Sequence, residues 1–409
     1  MDGGIDRRAF LGTAAGGLTA FALTPELHAA RRWLGANELR VGVIGAGRQG
    51  RRIIGELQKI DGAVVAGICE IDRRRRMAAT RRASGAEAYE SVEEMLKAGT
   101  VDAVVVATPT HTHREVAIVC MEAGVHVYVE CPLAHTLDDC EALAAAAASA
   151  KGVVAAGLQG RSNPVYQHAR NFFRSDSVRD LVSMRAQHHR KSSWVTPTTD
   201  AARFKSLNWR LDPEVSLGLA GEFGTQQFDV FHWYIDRYPT RVGGLGSVRL
   251  HDDGREVADT IAMTLEFDDG AALQYQASLA NSYEGTHEVL FGTNAAIKLA
   301  WSHGWMFKEA DAPTQGWEVY ANRQQFHNDE GITLIADATK LAAQGKLKDG
   351  VGLPYTPEYY ALSDWIAAIG DGSQAACSIA EAARATAVGI AANRAIVTGS
   401  AVDVVMPNV

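Results

Sequence analysis

Residues 41–50 read Val-Gly-Val-Ile-Gly-Ala-Gly-Arg-Gln-Gly, with glycines spaced Gly45-x-Gly47-x-x-Gly50. At the first position glycine permits a tight turn. At the second it lets the backbone approach an anionic ligand, and at the third it lets a helix pack closely on a strand. An apolar strand runs into the loop, and Arg51–Lys59 follows with helical spacing at Ile53, Ile54 and Leu57. A second apolar run, Ala63–Cys69, ends at Glu70, where an acid that binds ribose hydroxyls is expected. Together these features predict a pyrophosphate cradle for a dinucleotide, formed by Gly45, Gly47, Arg48, Gln49 and Gly50. A glycine turn of purely structural use in another α/β fold is the competing reading.

The elements that must position such a loop are also legible. Strands fit at 40–45, 63–69, 102–107, 125–129 and 153–157, with helices at 50–59, 72–84, 91–97, 113–123 and 137–150. Apolar strands alternating with helices predict a doubly wound parallel sheet covered on both faces. The third strand ends at Thr108-Pro109-Thr110, the carboxyl edge where such folds place ligands. After residue 160 the pattern changes. Long strands fit at 180–190, 241–251, 258–268, 271–281 and 286–300, with turn signals at Asp252-Asp253-Gly254 and Asp268-Asp269-Gly270. The second half therefore reads as a large, mostly antiparallel sheet. Helices are expected at 222–235, 357–371 and 379–397, and Trp301–Trp305 in a loop.

The chain has 409 residues, 47% of them hydrophobic and 22% charged, enough for two or three domains with their own cores. A net charge of −8 argues against a nucleic-acid or anionic-membrane surface. The five cysteines show no metal-ligand spacing, and no metal is expected. The N-terminal segment 1–38 carries Arg7-Arg8 ahead of an Ala/Gly-rich, mildly apolar stretch, which resembles a twin-arginine export signal and is too glycine-rich for a stable membrane span. That reading places the protein in the periplasm or otherwise outside the cytoplasm. Domains are then expected at 39–158 and 159–409, with the helix at 379–397 packing back on the first.

Three further landmarks fall in order. Thr108-Pro109-Thr110-His111-Thr112-His113 resembles the Thr-Pro-Asn-x-x-His loop of the glucose–fructose oxidoreductase, inositol dehydrogenase and MocA family. Gly124–Leu133, containing Glu130-Cys131-Pro132, resembles that family's Gly-Lys-His-Val-x-x-Glu-Lys-Pro-Leu segment, and Glu381–Ile396 resembles its closing helix. The resemblance implies an N-terminal Rossmann domain and a C-terminal α/β domain with an open sheet. That sheet would serve to form a homodimer or homotetramer. It also implies a nicotinamide cofactor and a small carbohydrate substrate. Glu70 would hold the adenosine ribose, and its charge favours NAD over NADP, although Arg74 nearby could accommodate a 2′-phosphate. Thr108, Pro109 and His113 match positions that line the cofactor, and Glu130 matches the position near the nicotinamide ribose.

The chemistry departs from the pattern. The lysine of Glu-Lys-Pro is Cys131 here. The motif Asp-x-Gly-x-His-x-x-Asp aligns with Glu222-Phe223-Gly224-Thr225-Gln226-Gln227-Phe228-Asp229, so the catalytic histidine is replaced by Gln226. Oxidising an alcohol needs a base for the hydroxyl proton. Glutamine cannot serve, and cysteine could do so only as a stabilised thiolate. Glu222 is the titratable survivor, with a helix-terminal carboxylate as its structural alternative. His188, at the end of a strand, could fill the gap. Arg161, Trp209, Arg210 and Asp229 are the expected sugar contacts, because planar aromatics stack on sugars and arginine grips hydroxyls or carboxylates. Three functions fit: an exported NAD(P)-dependent oxidoreductase acting on a sugar, polyol or sugar derivative; an NAD-dependent glycosidase working by transient oxidation, elimination and re-reduction; and a cofactor-bound sugar-binding protein without turnover.

Overall fold

In the computed structural model, which describes residues 38–316, 318, 321–326, 329–335 and 352–409, the chain builds two sheets joined through its closing helices. The expected export segment up to residue 37 lies outside the described residues. The first half runs β1 (Leu39–Ile44), α1 (Arg48–Leu57), β2 (Ala63–Cys69), α2 (Arg73–Arg82), β3 (Glu87–Tyr89), α3 (Val92–Ala98), β4 (Ala103–Val106), α4 (His113–Glu122), β5 (His126–Val129), α5 (Leu137–Ser149) and β6 (Val154–Ala156). All six strands are parallel, in the order β3-β2-β1-β4-β5-β6. This is the Rossmann arrangement, whose topological switch lies between β1 and β4. Both faces of β4 are buried, which is why it reads as an unbroken Ala-Val-Val-Val run. The strand β3 escaped sequence reading because only Tyr89 of its three residues is buried.

The second half contains α6 (Pro164–Arg174), β7 (Leu181–His189), α7 (Ala201–Leu207), α8 (Gly218–Glu222), α9 (Gly224–Ile235), β8 (Arg241–Ser247), β9 (Thr260–Glu266), β10 (Ala272–Ser278), β11 (Thr286–Gly292), β12 (Ala295–Leu299), β13 (Gly304–Lys308), β14 (Arg323–Phe326), β15 (Asp329–Thr333), α10 (Pro357–Asp371), α11 (Ile379–Thr398) and β16 (Val402–Asp403). Its sheet has ten strands, antiparallel except where β7 meets β10. Several boundaries differ from expectation. The strand expected at 286–300 is the hairpin β11–β12, which reverses at Thr293-Asn294 where their amides bond back to the 178–180 segment. The strand expected at 241–251 stops at Ser247. The helix expected at 222–235 is two helices broken at Phe223. Trp305 is not in a loop but in β13, paired with β12. The unexpected helix α6 has a clear local cause, since the Asn163 side chain accepts from the Val165 and Tyr166 amides and Pro164 pre-sets the first turn.

The closing helices join the halves. Trp365, Leu362 and Ile366 of α10 enter the core beneath β1. Along α11, Ile379, Ala382, Ala383 and Ala385 pack into the Rossmann core, while Val388, Ala391, Ala392 and Ala395 pack into that of the second sheet. Small alanines let one helix sit closely between two cores. Among the described residues no helix is long and apolar enough to cross a membrane.

Candidate dinucleotide and substrate site

A cleft of about 1330 Å³ runs from the glycine loop to the far end of β7. That exceeds the roughly 300–1,000 Å³ of a single small-ligand pocket, so a dinucleotide and a second small molecule fit together. At one end the chain leaves β1 through Gly45, with φ +92°; a Cβ there would lie 2.6 Å from the Ala107 carbonyl oxygen. A Cβ on Gly50 would lie 1.8 Å from the Gly45 carbonyl oxygen, whereas one on Gly47 would meet only the Arg75 guanidinium, at 3.8 Å. The outer two glycines are therefore fixed by protein packing, and the middle one opens onto the cleft. The helix α1 has no side-chain cap and no acid in its first turn, so its first amides are available to an anion. These features fit a dinucleotide pyrophosphate. Gly50→Ala is expected to displace the loop and abolish NADH binding, measured by fluorescence titration, with far-UV circular dichroism retained. Unchanged affinity would remove the loop from the cofactor site.

Glu70 sits at the end of β2 on the cleft wall, and its role is wider than expected. Its Oε2 accepts from the Ala46 amide at 2.8 Å and its Oε1 from the Asp72 amide at 2.8 Å. It braces the glycine loop as well as presenting a carboxylate. Arg74 is corrected: it is exposed and off the cleft, and Arg75, one position on along α2, lines it instead. A one-residue step on a helix turns a side chain by about 100°.

Thr108, Pro109 and His113 all line the cleft. His113 is fully buried, with its ring nitrogens 3.1 Å from the Leu133 carbonyl and 3.0 Å from that of Thr108, and burial pushes it down to about 4. It ties the loop after β4 to the segment after β5. Glu130, at the end of β5, accepts from Gln49 Nε2 at 3.3 Å. Burial, then the neighbouring Glu358 carboxylate, pushes it up to about 8, so it keeps its proton at neutral pH and can donate to a ligand hydroxyl.

Two of the expected catalytic side chains cannot take up a proton here. Cys131 lines the cleft, but burial and the adjacent Cys377 and Glu130 push its thiol well above the ordinary range, so no thiolate base forms. Gln226 spends its amide on backbone: Nε2 donates to Gly157 O at 2.6 Å and Oε1 accepts from Gln159 N at 3.1 Å. Glu222 is in the cleft with its side chain almost wholly buried. Its Oε2 accepts from Arg210 Nε at 2.9 Å and its Oε1 from Thr110 Oγ1 at 3.2 Å, which links the two halves across the site.

His188 is the penultimate residue of β7, in the same cleft. Its ring stacks on Phe223 at 3.8 Å, and Nδ1 lies 3.2 Å from Thr286 Oγ1. Nε2 is buried with no hydrogen-bond partner among the described residues. Burial, then the positive charge of Arg190, pushes the imidazole down to about 4, so it is neutral at physiological pH. A neutral ring whose Nδ1–H donates to Thr286 leaves Nε2 free to accept a proton.

Trp209 and Arg210 line the cleft as expected, with the guanidinium 4.4 Å over the indole. Arg161 and Asp229 do not. They form a buried bidentate pair behind the cleft, Nε–Oδ2 2.9 Å and Nη2–Oδ1 2.8 Å, and Arg161 also binds Glu381. Asp229 lies one helical turn beyond Gln226, deep enough to miss the cavity. Sequence reasoning overlooked Glu288, fully buried on β11, which accepts from Tyr166 Oη at 2.5 Å and from Gln227 Nε2 at 2.7 Å and is pushed up to about 7 by burial. Its one signal was a carboxylate in phase with Leu290 on an inward-facing strand. Among the described residues no group of three or more His, Cys, Asp or Glu is placed to hold a metal ion.

Comparison with known proteins agrees with this geometry. A profile described as "Oxidoreductase family, NAD-binding Rossmann fold" matches residues 39–158, and one described as "GFO/IDH/MocA C-terminal domain" matches 166–298. Inositol 2-dehydrogenase of Corynebacterium glutamicum (strain R) is 32% identical over 161 residues, 38% of this chain and 47% of that protein. The 1,5-anhydro-D-fructose reductase of Ensifer adhaerens is 25% identical over 261 residues, 63% and 74% of the two chains. The chain thus matches about half the length of the first of these relatives. A levoglucosan dehydrogenase solved with NADH and L-sorbose shares the fold, with a TM-score of 0.71 at 19% identity, covering 90% of this chain and 100% of that one.

Proposed function

Because this chain belongs to the Gfo/Idh/MocA oxidoreductase family, we propose that it oxidises a carbinol carbon of a sugar, polyol or sugar derivative, with His188 as the base. The observation that carries the reading is the buried, unpartnered Nε2 of a neutral imidazole in the cleft. NAD, when bound, supplies the two-electron acceptor for the hydride that leaves the carbinol carbon. Gly47 and the uncapped first turn of α1 would seat its pyrophosphate, Glu70 its adenosine ribose, and the protonated Glu130 its second ribose.

The protein's own contribution is to orient the substrate and receive a proton. Trp209 offers a flat face to a sugar ring. His188 Nε2 takes the hydroxyl proton as the carbonyl forms, and Thr286 Oγ1 accepts from Nδ1–H in the tautomer that leaves Nε2 unprotonated. The ring becomes imidazolium, and Phe223 holds its plane. Glu222 stays hydrogen-bonded to Arg210 and Thr110 and so keeps the sugar-facing wall in place.

A second reading, redox-neutral glycoside cleavage, is favoured by one feature. Glu130 holds a proton at neutral pH that could pass to a leaving oxygen. Purified protein is expected to release NAD on denaturation and, when loaded with NAD, to build up NADH with free sugars or polyols. Release of free sugar from glycosides without NADH build-up would instead establish the second reading. Bound NAD with neither activity across both panels would make the protein a binding protein.

A further inference from the structure

Several acidic groups of the cleft are matched by a cation. Glu222 pairs with Arg210 at 2.9 Å, Glu358 with Arg52 at 2.6 Å, Asp72 with Arg203 at 2.5 Å and Asp212 with Lys205 at 3.5 Å. Some guanidiniums of the cleft are not matched in this way. Arg48 and Arg190 line the cleft, and the side chain of neither forms a hydrogen bond or ion pair with another described residue. Arg210 uses only its Nε, on Glu222, and its plane is held over Trp209. The three charges feel one another: Arg48 is pushed down by burial, then by Arg210 and Arg190. Arg48 and Arg190 are exposed to the cleft, so an anion that enters it can take the place of water on either guanidinium.

Arg48, at the first position of α1, belongs with the cofactor pyrophosphate. That leaves Arg190 and Arg210, both contributed by the second domain. Arg190 is the first residue beyond β7, two positions after His188, and both line the cleft. An anion held there would lie beside the base, and Trp209 would offer a wall for a ring.

We propose that Arg190 and Arg210 bind an anionic substituent of the substrate, so that the substrate class is an acidic sugar or polyol carrying a carboxylate or phosphate. Arginine suits either group because its planar fork makes paired hydrogen bonds to both. The inference rests on the oxidoreductase reading above, since it takes the second small molecule in the cleft to be the substrate.

The test is binding to the NAD-loaded full chain, followed by calorimetry and tryptophan fluorescence, with D-glucuronate, D-glucose 6-phosphate and D-glucose. One or both acids are expected to bind about tenfold or more tightly than glucose, the worth of one or two charge-assisted hydrogen bonds. The difference should shrink at high salt. In Arg190→Met the advantage of the acid over glucose should vanish while NAD stays bound, and Arg190→Lys should restore part of it. Preference for glucuronate identifies a carboxylate, and preference for glucose 6-phosphate identifies a phosphate. Glucose binding as tightly as both acids would overturn the proposal and leave the oxidoreductase reading intact. Loss of NAD rather than of acid selectivity in Arg190→Met would also overturn it, by giving Arg190 to the cofactor. Retained NAD with no binding of any of the three would overturn both.

Discussion

His188→Gln is expected to lower kcat by roughly 10²–10⁴-fold, the usual worth of a positioned general base, while NAD affinity stays unchanged. Glutamine keeps a flat polar group beside Phe223 and Thr286 but cannot hold a proton. Thr286→Val should cost less, because it frees the tautomer without removing the base. The pH profile carries a second signature. His188 works only when neutral, and burial holds it down to about 4. Activity should therefore be on a plateau through pH 6.5, the ordinary histidine value, and fall only as pH approaches about 4. Stability follows the same window. Between about 4 and 6.5 the unfolded chain binds this proton and the folded chain does not. The contribution is fully present above 6.5 and is lost as pH falls towards 4. His188→Gln should lessen the slope of that part of the stability curve and leave the share of His113, which burial also pushes down to about 4. An acid limb near 6.5 would mean a solvated ring or a different base. If His188→Gln keeps kcat while Glu222→Gln loses it, the base is Glu222.

The dinucleotide end was legible because its demands are local. Gly50 is dictated by the turn itself and Gly45 by the chain leaving the adjacent strand β4, Gly47 is left open to a ligand, and Glu70 is placed by the length of one βαβ unit. The architecture of both sheets was legible for the same reason, since apolar runs and Asp-Gly turns are written along the chain. What escaped was decided across it. Arg74 and Arg75 are one step apart on a helix, and only the fold says which faces the cleft. Cys131 and Gln226 were singled out by motif alone. Their surroundings, the burial of a thiol and two backbone groups at Gly157 and Gln159, are set by the fold. The readiness of His188 depends on Phe223 and Thr286, 35 and 98 residues away in sequence. No spacing rule links them.

Asp229→Asn is expected to cost about 2–3 kcal/mol of stability, because it removes the bidentate partner of a buried charge and leaves Arg161 only the part-exposed Glu381 carboxylate. Both side chains are almost wholly buried, at 4% and 1% exposure, so solvent cannot replace the lost partner. Against a total of roughly 5–15 kcal/mol for a typical domain, that is a large fraction. The pair matters beyond its own energy because of what it joins. Arg161 lies in the short turn after β6, Asp229 on α9, and Glu381, the other partner of Arg161, closes the capping box at the start of α11. Breaking it should loosen the attachment of α11, which spans both cores. Chemical denaturation should show an earlier midpoint, and hydrogen exchange should rise first in α11 and the 159–162 turn. The double variant Arg161→Met/Asp229→Leu should recover much of the loss, since a buried pair replaced by apolar side chains of similar size is often neutral. At temperatures where both variants remain folded, sugar and NAD affinities should match those of the parent, because neither residue reaches the cleft. If Asp229→Asn unfolds like the parent yet loses substrate affinity, the pair belongs to the binding site, as the motif alone suggested.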